Sequence, residues 1–250
     1  MAKPLSEWLV EDVGPLVEKP LRWLSSHYFF RDPSRPVYSD LEYFFSPADG
    51  VILYQTEVEP DDAILDLKGK PYSLREAMRD EHFGRRCFVI GIFMTFYDVH
   101  VNRVPYPGRL SYRKLDAIST HNQPMLDVEQ ALLEQLRVRL DRTEYLRDNQ
   151  RVLNRIWSDR LSDAYYVLQI ADYDVDCITP FELSQNEPVG QGQRFSQIRY
   201  GSQVDLIVPL SDRFDFDPVA RVGDHVEAGV DPVIRVHPKD RQPAERTADD

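Results

Sequence analysis

Apolar positions recur along this chain as short unbroken runs and, in a few places, at helical spacing. Residues 87–97 form a continuous apolar, partly aromatic run, which predicts a buried strand. Residues 99–104 continue it in alternation. Pro105-Tyr106-Pro107-Gly108 then stops the strand, and residues 109–115 return, so the two predict a hairpin. Asp49-Gly50, at the end of the turn signal Ser46-Pro47-Ala48-Asp49-Gly50, feeds another strand rich in β-formers. Residues 64–68, 164–171 and 203–209 also read as strands. The stretch 219–236 alternates short β runs with Gly223 and Gly229, as a small sandwich hairpin would.

Helical spacing is confined to fewer places. Val128, Ala131, Leu132, Leu133, Leu136 and Leu140 repeat at that spacing over 127–144. Residues 73–79 predict a short helix. Residues 5–30 predict two short helices, set by Pro15 and Pro20, with Leu16, Val17, Leu21, Trp23 and Leu24 supplying an apolar face. That face either packs on the domain or rests on lipid. The Arg-rich stretch from Arg137 to Arg160 carries interleaved acids and reads as a solvated, salt-bridged face. Strands dominate. The fold class is α+β: a strand-rich single domain with mixed or antiparallel sheets, a few peripheral helices and a C-terminal barrel-sandwich-like hairpin. The expected organisation is a helical segment over 1–27, one domain over 28–237, and a polar, disordered tail over 238–250.

Composition narrows the setting. With 250 residues, 42% of them apolar and a formal net charge of −12, the chain is expected to be folded, acidic and cytoplasmic. No apolar run approaches the length of a membrane span, and the N-terminal residues lack the pattern of a secretory signal. The acidic balance argues against nucleic acid as a partner. Cys87 and Cys177 are expected to be reduced, buried thiols. The six histidines, 27, 82, 100, 121, 225 and 237, lack metal-ligand spacing.

Two places could carry chemistry. In Asp98-Val99-His100-Val101-Asn102-Arg103, strand alternation would put Asp98, His100 and Asn102 on one face, straight after an apolar run. In Arg199-Tyr200-Gly201-Ser202-Gln203, glycine either marks a kink in a strand or lets the neighbouring hydroxyl approach the preceding carbonyl carbon.

Taken together and in order, these segments resemble the phosphatidylserine decarboxylase family, its short form most closely, from about residue 28 to 236. The stations are Phe30-Arg31-Asp32-Pro33, Ser46-Pro47-Ala48-Asp49-Gly50, Lys68-Gly69-Lys70-Pro71-Tyr72-Ser73-Leu74, Asp98 to Pro105 with Gly108, and Asn149-Gln150-Arg151. Gly192-Gln193-Arg194-Phe195, Ile198-Arg199-Tyr200-Gly201-Ser202 and Val222 to Gly229 complete them. The resemblance implies a cofactor made from the chain itself. Ser202 Oγ would attack the Gly201 carbonyl, and β-elimination would cleave the chain between 201 and 202. Position 202 would then carry a covalent pyruvoyl group (pyruvate) on an α chain that stays with its β chain. The family assigns activation of the serine to an Asp–His pair, which by position is Asp49 and His100. The pyruvoyl group acts as an electron sink when CO2 leaves, with His100 as donor of the returning proton, and no metal is required.

The resemblance also implies a phospholipid substrate at the inner membrane face, phosphatidylserine giving phosphatidylethanolamine, and leaves homo-oligomerisation open. Arg103 stands where longer members carry a second histidine. Gln203 stands where short members have Arg, and Ser196 where they tend to have Gly. Arg103 and Gln203 are therefore candidate substrate contacts, and the lost cation at 203 bears on how a substrate anion is held. Two rivals stay open: the same chemistry on a non-lipid amine, and a non-catalytic relative. A biotinyl-type carrier is excluded, because residues 227–235 contain no lysine. A charge of −12 opposes approach to an anionic bilayer, so contact would fall to a local face such as Trp8, Leu9, Trp23 and Leu24, with Arg22 and Arg31 nearby.

Overall fold

The apolar run becomes the Cys87–Met94 strand, and all eight of its residues are buried because both faces are covered. Phe88, Ile90, Ile92 and Met94 point into one core, and Cys87, Val89 and Phe93 into the other. The computed structural model describes residues 2–67, 70–118, 122–140, 143–172, 177–181, 184–199 and 201–239. Lys68-Gly69, His121, Tyr200 and the tail from 240 lie outside the described residues.

Cys87–Met94 sits inside a nine-stranded sheet. The order across it is Lys3–Pro4, Asp224–Val226, Gly50–Val58, Cys87–Met94, Ser202–Pro209, Asp163–Ala171, Arg151–Ser158, Gly108–Leu115 and Glu187–Val189. Every described pairing is antiparallel. Two three-stranded sheets close one face. One holds Ile178–Pro180, Arg194–Ile198 and Val101–Arg103; the other holds Phe214–Pro218, Pro232–Pro238 and Tyr43–Phe45. The other face is covered by the N-terminal segment, the Leu74–Met78, Leu126–Gln135 and Tyr145–Asp148 helices, and the Ala63–Leu67/Lys70–Ser73 ribbon. The result is the expected strand-rich α+β architecture.

Some local expectations change. The chain leaves the apolar strand at Thr95, whose amide and hydroxyl both donate to the Asp98 carboxylate at 2.7 Å. This side-chain turn competes with the ladder and ends it. Residues 101–103 therefore enter a different sheet, and Asp98 lies in the turn, so the alternation argument for a shared face does not apply to it. Gly108–Leu115 pairs with Arg151–Ser158 and Glu187–Val189 in place of the expected hairpin partner. The 127–144 helix stops at Gln135, because Leu136 turns left-handed (φ 54) and the Arg137 amide closes back on the Ala131 carbonyl. Asp224–Val226 and Pro232–Pro238, from the 219–236 stretch, join two different sheets.

The N-terminal segment is helical over Leu5–Leu16 and Leu21–Tyr28, divided at Pro20. Wide π-type turns at Leu9–Val13 and Leu24–Tyr28 shift the phase of the spiral. Leu5, Trp8, Val13 and Leu24 consequently face the core, while Val17, Leu21 and Trp23 stay exposed. Trp8 and Leu24 are thereby removed from the expected lipid-facing set. Among the described residues, no helix is long and apolar enough to cross a membrane.

Candidate active site

Ser202 opens the Ser202–Pro209 strand, fully buried, with Met94 opposite it on one side and Ala171 on the other. Side chains in register share a face, so Ser202 lies on the side of Met94 and Ala171, the face that Asn102 of the Val101–Arg103 strand touches at Met94. Asn102 on that strand donates to the Pro47 carbonyl at 3.3 Å and contacts Met94 Sδ at 3.7 Å. A buried amide ladder, Asn154 to Gln169 at 2.9 Å and Gln169 to Asn102 at 2.7 Å, fixes it there. Gly201 sits just outside the ladder. A Cβ on it would lie 2.8 Å from Asp172 Oδ2, so packing alone favours glycine at this position.

His100 is completely buried, with the Phe29 ring tilted over it at 4.1 Å between centroids. Its Nδ1 lies 3.1 Å from the Asp98 carbonyl oxygen. A carbonyl can only accept, so Nδ1 carries the proton and Nε2 presents a bare lone pair. That Nε2 is buried and has no hydrogen-bond partner among the described residues. Burial pushes the imidazole down to about 4, against the fields of Asp98 and Asp49, so His100 is neutral at physiological pH.

Asp49 and His100 are not hydrogen-bonded to each other. Asp49 is buried and held by both guanidinium nitrogens of Arg35 at 2.6 Å, with the Ala228 amide on Oδ1 at 2.7 Å. The carboxylate that the resemblance pairs with His100 is bonded instead to Arg35 and the Ala228 amide. The tautomer is set by the Asp98 carbonyl, and burial keeps the ring neutral. The Asp49 turn is nonetheless next to the site: Pro47 accepts from Asn102 and from the Arg103 amide. Gly50 makes this approach feasible, since at φ 151 a Cβ would collide with the Phe93 carbonyl oxygen at 2.1 Å.

The Asp98 carboxylate belongs to another histidine. His225 Nε2 lies 2.6 Å from Oδ1, and Trp8 stacks on the His225 ring at 4.3 Å with a 10° interplanar angle. Burial works against charge here, yet the partners prevail: Asp98 is held below the usual carboxylate range and His225 above the usual imidazole range. A cavity of about 150 Å³ is lined by this pair together with Trp8, Tyr28, Arg31 and Asp49. The N-terminal segment forms one wall of it.

The two candidate substrate contacts are both engaged within the chain. Arg103 donates to Asp32 Oδ1 at 3.2 Å and to the Gly192 carbonyl at 3.1 Å. Gln203 points to the opposite face of the sheet from Ser202. It accepts from Tyr145 Oη at 2.7 Å and donates to Tyr54 Oη and Asp205 Oδ1 at 2.8 Å. Asp205, accepting also from Tyr54, has no cation bonded to it among the described residues, and burial pushes it up to about 6. Ser196 is buried and donates to the Thr179 carbonyl at 3.1 Å.

Sequence reading missed Arg35, Phe29 and the pairing of Asp98 with His225. The last could not be read from a local pattern, since partners 127 residues apart meet only through the sheet order. Both halves of the Asp98–His225 pair did lie within the quoted stations.

Comparison with known proteins places the chain in context. The family model described as phosphatidylserine decarboxylase matches residues 26–233. The phosphatidylserine decarboxylase proenzyme of Erythrobacter litoralis is 32% identical over 210 residues, covering 83% of this chain and 72% of that protein. A protein of Methanocaldococcus jannaschii, named as an archaetidylserine decarboxylase proenzyme, is 29% identical over 202 residues, 81% of this chain and 85% of its own. The phosphatidylserine decarboxylase proenzyme of Pelagibacter ubique is 29% identical over 203 residues, 81% and 76% respectively.

Proposed function

Since the chain belongs to the phosphatidylserine decarboxylase family, we propose that it is a self-processing proenzyme that converts phosphatidylserine to phosphatidylethanolamine and CO2. The observation that carries this reading is the buried Nε2 of His100, which has no partner among the described residues and lies just before the strand whose Asn102 contacts Met94, the ladder partner of Ser202. A buried nitrogen with a bare lone pair has lost its hydration without compensation, which is costly unless a reacting group completes it.

In this reading, Ser202 Oγ attacks the Gly201 carbonyl carbon, its proton passes to a base, and the amide bond becomes an ester. His100 is the candidate base, since its neutral form is fully available at pH 7. β-Elimination then releases the Gly201 carboxylate. Addition of water and loss of ammonia leave a pyruvoyl group on residue 202. The residues present fit such a group: glycine at position 201 leaves room for the Asp172 carboxylate, and Ser202 is buried. The group supplies an electron sink for decarboxylation of a bound amine. The chain's own part is to exclude water, to hold the reacting carbon on the face that Asn102 touches at Met94, and to return a proton from His100. Asp49, tied to Arg35, contributes field and turn geometry to this picture.

The test is a denaturing gel with intact-mass analysis. The expected result is a C-terminal piece of 49 residues beginning at position 202 with a blocked N-terminus, and one full-length chain for Ser202→Ala. A wild-type chain that stays whole, also after incubation with membranes, would overturn the reading. CO2 release from phosphatidylserine liposomes, archaetidylserine liposomes and free serine separates the substrates. The net charge of −12 is the observation that favours including the non-lipid arm.

A further inference from the structure

Asp98 is a heavily engaged polar group near the site. Its Oδ2 accepts both the amide and the hydroxyl of Thr95, which locks the turn. Its Oδ1 accepts His225 Nε2. Its backbone carbonyl accepts from Arg31 at 3.3 Å and from His100 Nδ1 at 3.1 Å. The carbonyl that selects the His100 tautomer is thus part of a residue whose side chain is clamped by His225. His225 is in turn pinned between the Lys3–Pro4 and Gly50–Val58 strands and under the Trp8 ring.

We propose that His225, acting through Asp98, is a positioning residue that holds His100 in its Nδ1–H tautomer with Nε2 free. This rests on the reading of His100 as the processing base. The physical reasoning concerns an uncompensated charge. Without a donor at 225, the buried Asp98 carboxylate keeps only the Thr95 bonds on one oxygen. A buried carboxylate in that state takes up a proton or reorients. Either change frees the turn and moves its carbonyl off His100 Nδ1. The imidazole then loses the hydrogen bond to Asp98 and populates both tautomers, one of which places a proton on Nε2, where it cannot act as a base. The arrangement has a second consequence. His225 lies downstream of residue 202 and Asp98 upstream, so after cleavage this bond would join the two pieces and keep His100 oriented for the later chemistry.

The experiment uses the full chain in a Ser202→Ala background, so that its structural arm does not depend on cleavage. Ring-nitrogen NMR of His100 reads the tautomer. The parent is expected to show one protonated Nδ1 and one bare Nε2. His225→Phe keeps a ring against Trp8 but removes the donor, and is expected to give averaged or exchanging nitrogen signals. His225→Gln retains a donor and is expected to restore the parental signature. In the Ser202 background, cleavage should slow by about tenfold or more for His225→Phe and recover for His225→Gln, as expected when a base is left in the wrong tautomer. An unchanged His100 signature in His225→Phe overturns the proposal. If that variant does not fold, Asp98→Asn decides in its place by the same signature. Absence of cleavage in the wild type would overturn the processing reading and leave the tautomer result standing, so the two failures are distinguishable.

Discussion

Two buried groups pull the stability of this protein in opposite directions as pH changes, and removing either should unmask the other. His100 falls from an ordinary 6.5 to about 4, because burial disfavours the imidazolium. Between those values the unfolded chain binds a proton that the native state does not, so stability rises with pH and is lost as pH falls. From pH 7 to pH 5 the loss is about 2 kcal/mol. Asp205 behaves oppositely. It rises from 3.8 to about 6, again through burial, so over that window the native state holds a proton that the unfolded chain has released. Its contribution falls as pH rises, by about 1 kcal/mol from pH 5 to pH 7. The two effects partly offset in the parent chain, the His100 loss being the larger as pH falls from 7 to 5. Urea unfolding of the uncleaved Ser202→Ala protein at pH 5, 6 and 7 is the assay, with His100→Phe and Asp205→Asn added singly. Relative to the parent, the His100→Phe protein should gain about 2 kcal/mol on going from pH 7 to pH 5, and the Asp205→Asn protein should lose about 1 kcal/mol over the same change. If His100→Phe keeps the parent's pH slope, the ring is not held neutral by burial and the account of the base fails.

Three further outcomes follow from packing and chemistry. Arg35→Gln strands the buried Asp49 carboxylate and should cost about 3–5 kcal/mol, whereas Arg35→Met with Asp49→Leu should recover most of it; thermal unfolding reads both. A Cβ at position 91 would meet the Tyr54 ring at 2.3 Å, so Gly91→Ala should push Tyr54 off Asp205 and lower stability by about 1–3 kcal/mol in urea, with no change in wild-type-like secondary structure by circular dichroism. Cys87 and Cys177 are both buried, and burial pushes the Cys87 thiol up to about 12, so alkylation followed by mass analysis should label neither in the native state and both in denaturant.

How much of the site was legible depends on the distance over which each feature is encoded. Gly201–Ser202 and Asp49-Gly50 are local signals, and each falls at the start of a strand, where the turn residues said it would. The buried run 87–94 was legible because a strand covered on both faces has to be apolar at every position. Asp98 was singled out for the wrong geometric reason. Strand alternation assigned it to one face with His100, whereas a side-chain turn with Thr95 removes it from the strand and connects it to His100 through its carbonyl. Gln203 was read as a candidate substrate contact because it stands where short members have Arg; alternation sends it to the face opposite Ser202, where it meets tyrosines from two other elements.

The sequence by itself determined the strand-rich class, the turn and glycine positions, and the family to which the chain belongs, because all of these are written in short contiguous patterns. Only the tertiary structure decided which carboxylate serves which cation. Asp49 goes to Arg35, and Asp98 goes to His225, leaving His100 neutral with one nitrogen bare. The physical reason is that a buried charge selects its partner by reach and desolvation in three dimensions. Those quantities follow from the order of strands across the sheet, which no local pattern of residues records.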